Sequence, residues 1–156
     1  MTTARRALTR HGQRRLRRRA DGRRDIRHGV RHVAGAMRTG TDLPSVPDTA
    51  TLKDALIEMS RGRMGMTAVL DAQRRVRGIF TDGDLRRNID RLTDFAGAKV
   101  ADVMSANPRV IRPDALAVEA VQVMEKHKVN QLLVVDAEGA LVGALNMHDL
   151  FRAKVL

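Results

Sequence analysis

The chain has 156 residues, a length that suits one domain or two small halves that share one core. It contains no cysteine, which excludes disulfide bonds, a thiol nucleophile and thiolate metal ligands. Its apolar runs, such as residues 132–135, are far shorter than the ~20 residues that a membrane-spanning helix needs. We therefore expect a soluble cytoplasmic protein without a membrane partner.

The net charge of +11 lies entirely at the amino-terminal end. Residues 1–38 hold 13 of the 29 basic residues and 2 of the 18 acidic ones, whereas residues 39–156 carry 16 of each. Residues 1–36 are rich in arginine and poor in apolar side chains, so they cannot bury a core of their own. We predict that this segment is a disordered basic tail.

Three interpretations of the tail remain open. Its arginine clusters could neutralise the phosphates of a nucleic acid, although no aromatic residue lies among them to stack on bases. It could be a transit peptide, but such peptides are rich in serine and the first serine of the chain is Ser45. It could also have no selected function and derive from upstream sequence or a misplaced translation start, which is the interpretation we favour.

The folded part is predicted to begin with an extended segment at 43–47, because each proline there restricts the residue before it. A helix follows from Thr51, which stands three residues before Asp54 as in a capping box. Apolar residues then follow the helical period at 52, 55, 56 and 59. Strands are predicted at 66–70 and 76–80, a further helix from 82 to about 89, and a loop through Gly97 to 101–104.

The same order of elements returns 65 residues later. An extended pair at 110–111, an apolar stripe at 117, 120, 121 and 124, and strands at 131–135 and 141–145 match the first copy. Nine of the 36 positions are identical between 52–87 and 117–152. A unit of roughly 55 residues is marginal for burying its apolar face alone. We therefore expect an α+β fold of two βαββα repeats, 37–96 and 97–156, packed by pseudo-two-fold symmetry into one module.

The turn after the second strand of each repeat has the residues of a helix cap. In the first repeat, the Thr81 hydroxyl can accept from the N–H near Asp84, while the Asp84 carboxylate reaches back to the N–H of Thr81. The same turn contains Gly83 and presents free N–H groups to an anion. The turn alone leaves two interpretations open, a well-capped helix and a binding site.

Residues 78–84 (GIFTDGD) resemble the end of a cystathionine-β-synthase-type (CBS) repeat, in which glycine, two apolar residues, Thr or Ser, two variable residues and Asp follow one another. The resemblance covers about residues 37–156. It implies that the paired repeats bind adenosine nucleotides or related ligands in their clefts, with Thr81 on phosphate and Asp84 on the ribose hydroxyls. The second repeat has Asn146 where the family has Thr or Ser, so its turn is the weaker candidate.

Residues 64–67, 80–87 and 147–150 are similar, more narrowly, to the C-terminal CBS pair of bacterial arabinose-5-phosphate isomerases, which supply a precursor of the lipopolysaccharide sugar Kdo. The chemistry of those enzymes lies in a sugar isomerase domain of roughly 200 residues, and residues 1–36 have neither its length nor its βαβ pattern. The resemblance implies a non-catalytic regulatory module, detached from such an isomerase, that senses an adenine nucleotide or a CMP-sugar.

We predict ligand contacts at Thr81, Gly83, Asp84, Val46, Gly65, Met66, Thr67, Asn146, His148 and Asp149. No catalytic residue, metal or tightly held cofactor is expected, because no second ligand accompanies His148 at metal spacing and no nucleophile and base stand out. A homodimer is expected from two-fold repeats with apolar helix faces. The alternative function is an interaction protein that dimerises through its CBS pair and binds nucleic acid through its tail.

Overall fold

Two small sheets face each other across a shared core. The computed structural model describes residues 30–155, beginning with the short helix α1 (Val33–Ala36). The first repeat contains β1 (Ser45–Pro47), α2 (Leu52–Gly62), β2 (Met66–Leu70), β3 (Val76–Thr81) and α3 (Asp82–Asn88). The segment that precedes the second repeat contains α4 (Val100–Val103) and β4 (Ser105–Ala106). The second repeat contains β5 (Val110–Ile111), α5 (Ala117–His127), β6 (Gln131–Val135), β7 (Leu141–Asn146) and α6 (Met147–Arg152).

The two sheets share the topology of their first three strands, and the first sheet has a fourth strand. The first has the order β1-β2-β3-β4, with β1 parallel to β2 and the other pairs antiparallel. The second has the order β5-β6-β7, with β5 parallel to β6 and β6 antiparallel to β7. The hairpin turns of the two repeats meet, since Val76 N donates to Gly139 O over 3.2 Å and Leu141 N donates to Arg74 O over 3.1 Å. The predicted α+β fold with two βαββα repeats is confirmed.

The predicted element boundaries hold to within one residue in the paired strands. β2 and β6 span the predicted residues, β3 and β7 are each one residue longer, and α3 ends at Asn88 before a 3₁₀ turn at Ile89–Arg91. The predicted capping box of α2 is half formed. The Thr51 hydroxyl accepts from Asp54 N at 3.1 Å, but the return bond, in which Thr51 N would donate to the exposed Asp54 carboxylate, is not formed.

The strands β2 and β6 are buried on both faces. In β2, Met66, Ala68 and Leu70 face the second sheet in a central cluster with Leu133 of β6, while Val69 faces α2. In β6, the residues on either side of Leu133 face α5 instead. Burial on both faces explains why these strands have continuous apolar sequences rather than alternating ones.

The segment that precedes each repeat completes the sheet and core of the other. Val33 in α1 is 0% exposed and packs in the core of the second repeat, where its N–H donates to Ala115 O over 2.9 Å. Conversely, Val100 and Val103 in α4 pack in the core of the first repeat, and β4 pairs with β3.

The predicted tail boundary at residue 36 is therefore wrong for residues 30–36. These residues are folded, and a four-residue helix with one valine is too short to give a periodic signal. Residues 1–29, which form the rest of the predicted tail, lie outside the described residues. Among residues 30–155, no helix combines the length and apolar character needed to cross a bilayer.

Candidate functional site

The turn between β3 and α3, which we call the first turn (residues 81–84), is a complete capping box. The Thr81 hydroxyl accepts from Asp84 N at 3.2 Å, and Asp84 Oδ2 accepts from Thr81 N at 2.9 Å and from the Thr81 hydroxyl at 3.1 Å. The predicted cap geometry is confirmed. Since α3 has only seven residues, much of its stability depends on such a cap.

The outer oxygen of Asp84 is held by two residues that the sequence analysis missed. Asp84 Oδ1 accepts from the Ser105 hydroxyl at 2.7 Å and from Arg87 Nη2. Asp84 is 3% exposed, and these bonds, with those from Thr81, use all of the roughly four acceptor positions of its carboxylate. Ser105 is exposed and the side chain of Arg87 is 66% exposed, so both can move aside for a ligand.

The two missed residues differ in how visible they are in the sequence. Arg87 follows Asp84 by three positions on a helix, a spacing at which opposite charges attract, so it could have been predicted. Ser105 is 21 residues from Asp84 and reaches it through the β3–β4 pairing, which no local pattern indicates.

The corresponding turn between β7 and α6, the second turn (residues 146–149), is also a capping box. Asn146 Oδ1 accepts from Asp149 N at 2.8 Å, and Asp149 Oδ2 accepts from Asn146 N at 3.0 Å. Asp149 is 5% exposed, and its Oδ1 accepts from Arg152 Nη2 at 3.0 Å, just as Asp84 accepts from Arg87. The substitution of asparagine at the cap therefore leaves the local geometry intact.

Arg38 is the further partner of Asp149, and the sequence analysis missed it as well. Its Nε lies 3.1 Å from Oδ1 and 3.2 Å from Oδ2, and its Nη2 lies 3.1 Å from Oδ1. Its Nη1 also donates to Gly62 O, at the end of α2, over 3.1 Å. Arg38 is 111 residues from Asp149 in sequence, so spacing gave no indication of the pair.

The two turns lie along the seam between the repeats. Met66 at the start of β2 is paired with Thr81, and Gln131 at the start of β6 is paired with Asn146. Gln131 Nε2 lies 3.5 Å from Met64 O, which joins the two strand starts across the seam. The backbone also links the start of each helix to the residue before the middle strand of its sheet, since Asp82 N donates to Gly65 O over 3.1 Å and Met147 N donates to Asn130 O over 3.0 Å.

The remaining predicted site residues differ in burial and in their distance from the two turns. Val46, Met66 and Thr67 are buried, and the Thr67 hydroxyl lies 3.2 Å from Ala68 O, so only backbone atoms of these residues could meet a ligand. Val46 pairs with Val69, three residues along β2 from Met66, and β1 is two strands away from β3, so Val46 is roughly 14 Å from Thr81. His148 is exposed on α6, beside the second turn. Within residues 30–155, no three His, Asp or Glu side chains are grouped to hold a metal ion.

The sequence matches the CBS domain family over residues 30–91 and 100–156. Among curated relatives, arabinose 5-phosphate isomerase KdsD of Pseudomonas aeruginosa is 47% identical over 124 residues, and KdsD of Escherichia coli strain K12 is 44% identical over the same length. Each match covers 80% of this chain and 38% of the relative. The chain thus spans about 38% of the length of the curated relatives that it matches.

Solved structures give the same result for the fold. A structure of CBSX2 in complex with AMP superposes with a TM-score of 0.68 at 26% identity, covering 80% of this chain and 96% of that one. CBSX2 from Arabidopsis thaliana also matches at 25% identity and a TM-score of 0.68, over 81% of this chain and 95% of that one. The family match spans both repeats and begins at residue 30, where the described fold begins. The chain belongs to the CBS-domain family and forms a CBS pair.

Proposed function

We propose that this CBS pair senses a nucleotide or sugar nucleotide, which binds at the first turn, and regulates an isomerase of the arabinose 5-phosphate type. Its similarity to KdsD supports the link to that enzyme. The AMP bound to CBSX2 supports an adenine nucleotide as one ligand, and a CMP-sugar is the other candidate. The match covers 38% of KdsD, so we place the isomerase chemistry outside the CBS pair.

The observation that carries this proposal is the hydrogen bond from Ser105 to Asp84. A buried carboxylate that accepts from an exposed hydroxyl at 2.7 Å has the geometry with which it would accept from a ribose hydroxyl. A ligand hydroxyl that displaced Ser105 would replace one O–H···O bond by another, so Asp84 would remain fully paired. Ser105 would regain its hydrogen bonds from water.

A thermal-unfolding screen with AMP, ATP, a CMP-sugar and inorganic phosphate tests the proposal. A ligand present at 100 times its dissociation constant should raise the free energy of unfolding by about 2.7 kcal/mol. Asp84→Asn is the matched control, because it keeps the shape and the acceptor oxygen of the cap but removes the charge. The proposal fails if no nucleotide stabilises the parent protein, or if Asp84→Asn is stabilised to the same extent.

The position of the basic charge favours a second function. Residues 39–156 are neutral while residues 1–38 carry the entire net charge of +11, so a basic segment is attached to a neutral module. As the alternative to a tail without selected function, we propose that residues 1–29 bind nucleic acid, independently of the ligand site.

The homodimer stays a prediction. Large apolar side chains are exposed on three helices, at Ile57, Val118 and Phe151, and burial in a dimer would remove them from water. Light scattering distinguishes one from two copies of the 17.3 kDa chain.

A further inference from the structure

Arg38 and Ser105 occupy equivalent positions in the two halves. Ser105 pairs with Ile79 next to Gly78 on β3, and Arg38 forms a bridge with Ala144 next to Gly143 on β7. The preceding residues, Met104 and Met37, place their sulfur atoms 2.5 Å from where a Cβ would stand on Gly78 and Gly143. The same backbone position therefore faces each aspartate, with a serine in one half and an arginine in the other.

The rest of the two turns is closely matched. Each aspartate closes a capping box and accepts from an arginine three residues later, and the side chains of Arg87 and Arg152 are 66% and 62% exposed. The carboxylates are buried to nearly the same degree. The largest difference in what covers the two carboxylates is thus Ser105 against Arg38.

The two residues do different things at that position. Ser105 is exposed and makes one hydrogen bond to Asp84, which a ligand hydroxyl can replace. Arg38 is 21% exposed, contacts both oxygens of Asp149 and donates to Gly62 O at the end of α2. To reach Asp149, a ligand must displace the Arg38 guanidinium from the carboxylate, and a neutral hydroxyl cannot replace that positive charge. The displacement would also leave the carbonyl of Gly62, at the end of α2, without its hydrogen-bond donor.

We propose that Arg38 closes the second turn, so that the module has one nucleotide site per chain, at the first turn. This inference rests on the proposed function of that site. Arg38 belongs to the segment that packs on the second repeat. Its side chain bonds both to Asp149 of that repeat and to Gly62 O in α2 of the first repeat, so it links the two repeats. Replacing it with the serine of the equivalent position should open a second site.

Isothermal titration calorimetry of the full chain with AMP tests the proposal by stoichiometry. We expect one AMP per chain for the parent and two for Arg38→Ser. The double variant Arg38→Ser with Asp149→Asn should return to one, which places the added site at the second turn. Arg152→Ser is the control, because it removes the other arginine on Asp149 and should leave the stoichiometry at one. Arg38→Ala serves in place of Arg38→Ser if the latter does not fold.

The outcomes separate this inference from the proposed function. Two AMP molecules bound to the parent would show that Arg38 does not close the second turn. One site in both the parent and the Arg38 variants would overturn the closure while leaving the first turn as the ligand site. No site in the parent and one in Arg38→Ser would support the closure and refute the proposed site at the first turn.

Discussion

The two aspartates share the capping-box bonds and an arginine three residues later but have different long-range partners, and this difference decides what their removal should cost. Removing Asp84 leaves an exposed serine and a largely exposed arginine, which water can solvate. Removing Asp149 leaves the guanidinium of Arg38 partly buried without a countercharge. Stability and binding should therefore respond to the two substitutions in opposite order.

Asp149→Ala should lower the free energy of unfolding more than Asp84→Ala does. Loss of the cap costs about 0.5–2 kcal/mol in both variants. The unpaired Arg38 should add roughly 1–3 kcal/mol to the cost of Asp149→Ala. Urea denaturation of both variants without ligand measures the difference, and a larger loss for Asp84→Ala would contradict the assignment of Arg38.

The site shows which partners a sequence can reveal. The caps follow from a three-residue spacing within one turn, so they were predicted with their hydrogen bonds. Ser105 and Arg38 reach their aspartates from separate segments that pair with β3 and β7, and they could not be predicted from spacing. The asparagine at position 146 predicted the weaker turn, whereas we propose that Arg38 makes the difference between the turns.

Among the elements of the fold, α1 was not predicted, because the arginine-rich sequence of residues 1–36 led us to assign it to a disordered tail. Val33→Ala should destabilise the protein by about 2 kcal/mol, because Val33 is fully buried in the core of the second repeat. Ala34→Gly, at an exposed position of the same helix, is the control and should cost less than about 1 kcal/mol. Equal stability of Val33→Ala and the parent, measured by urea denaturation, would mean that residues 30–36 belong to the tail.

The strands were predictable where burial on both faces produced a continuous apolar run between polar turns, as in β2 and β6. The short elements α1, α4 and β4 were not, because two to four residues hold too few side chains for a periodic pattern. Their structure comes from the opposite repeat, with which they pack. The packing of each of these segments on the other repeat could therefore not be predicted from the sequence.

Glu58 ties α2 to β1 and should make stability depend on pH. Its carboxylate accepts from Arg61 and from Ser45 N, and the bond from Arg61 is the main reason why the pKa of Glu58 lies below its ordinary value of 4.5. Because the pKa is lower in the folded state, the stabilisation is present above 4.5 and is lost as pH falls through the folded pKa. Glu58→Gln should be less stable than the parent at pH 7 and equally stable well below 4.5. A difference in stability that persists in acid would contradict this.

For the whole molecule, the separation of charge predicts that tail and module act independently. Deleting residues 1–29 should leave thermal unfolding and nucleotide binding unchanged while it removes any binding to nucleic acid. In the full chain that binding should weaken steeply with added salt, because it depends on counterion release. Fluorescence anisotropy with a labelled oligonucleotide measures it, and a deletion variant that binds as well as the full chain would refute the role of the tail.

We propose that Asp84 holds the ligand of this CBS pair. Calorimetric titration of the parent, Asp84→Asn and Asp149→Asn with the nucleotide that gives the largest stabilisation tests it most directly. Loss of charge-assisted hydrogen bonds at Asp84 should weaken binding by roughly 1.5–3 kcal/mol, about ten- to a hundredfold, while Asp149→Asn should bind nearly as the parent does. Equal affinity of Asp84→Asn and the parent would refute this role of Asp84.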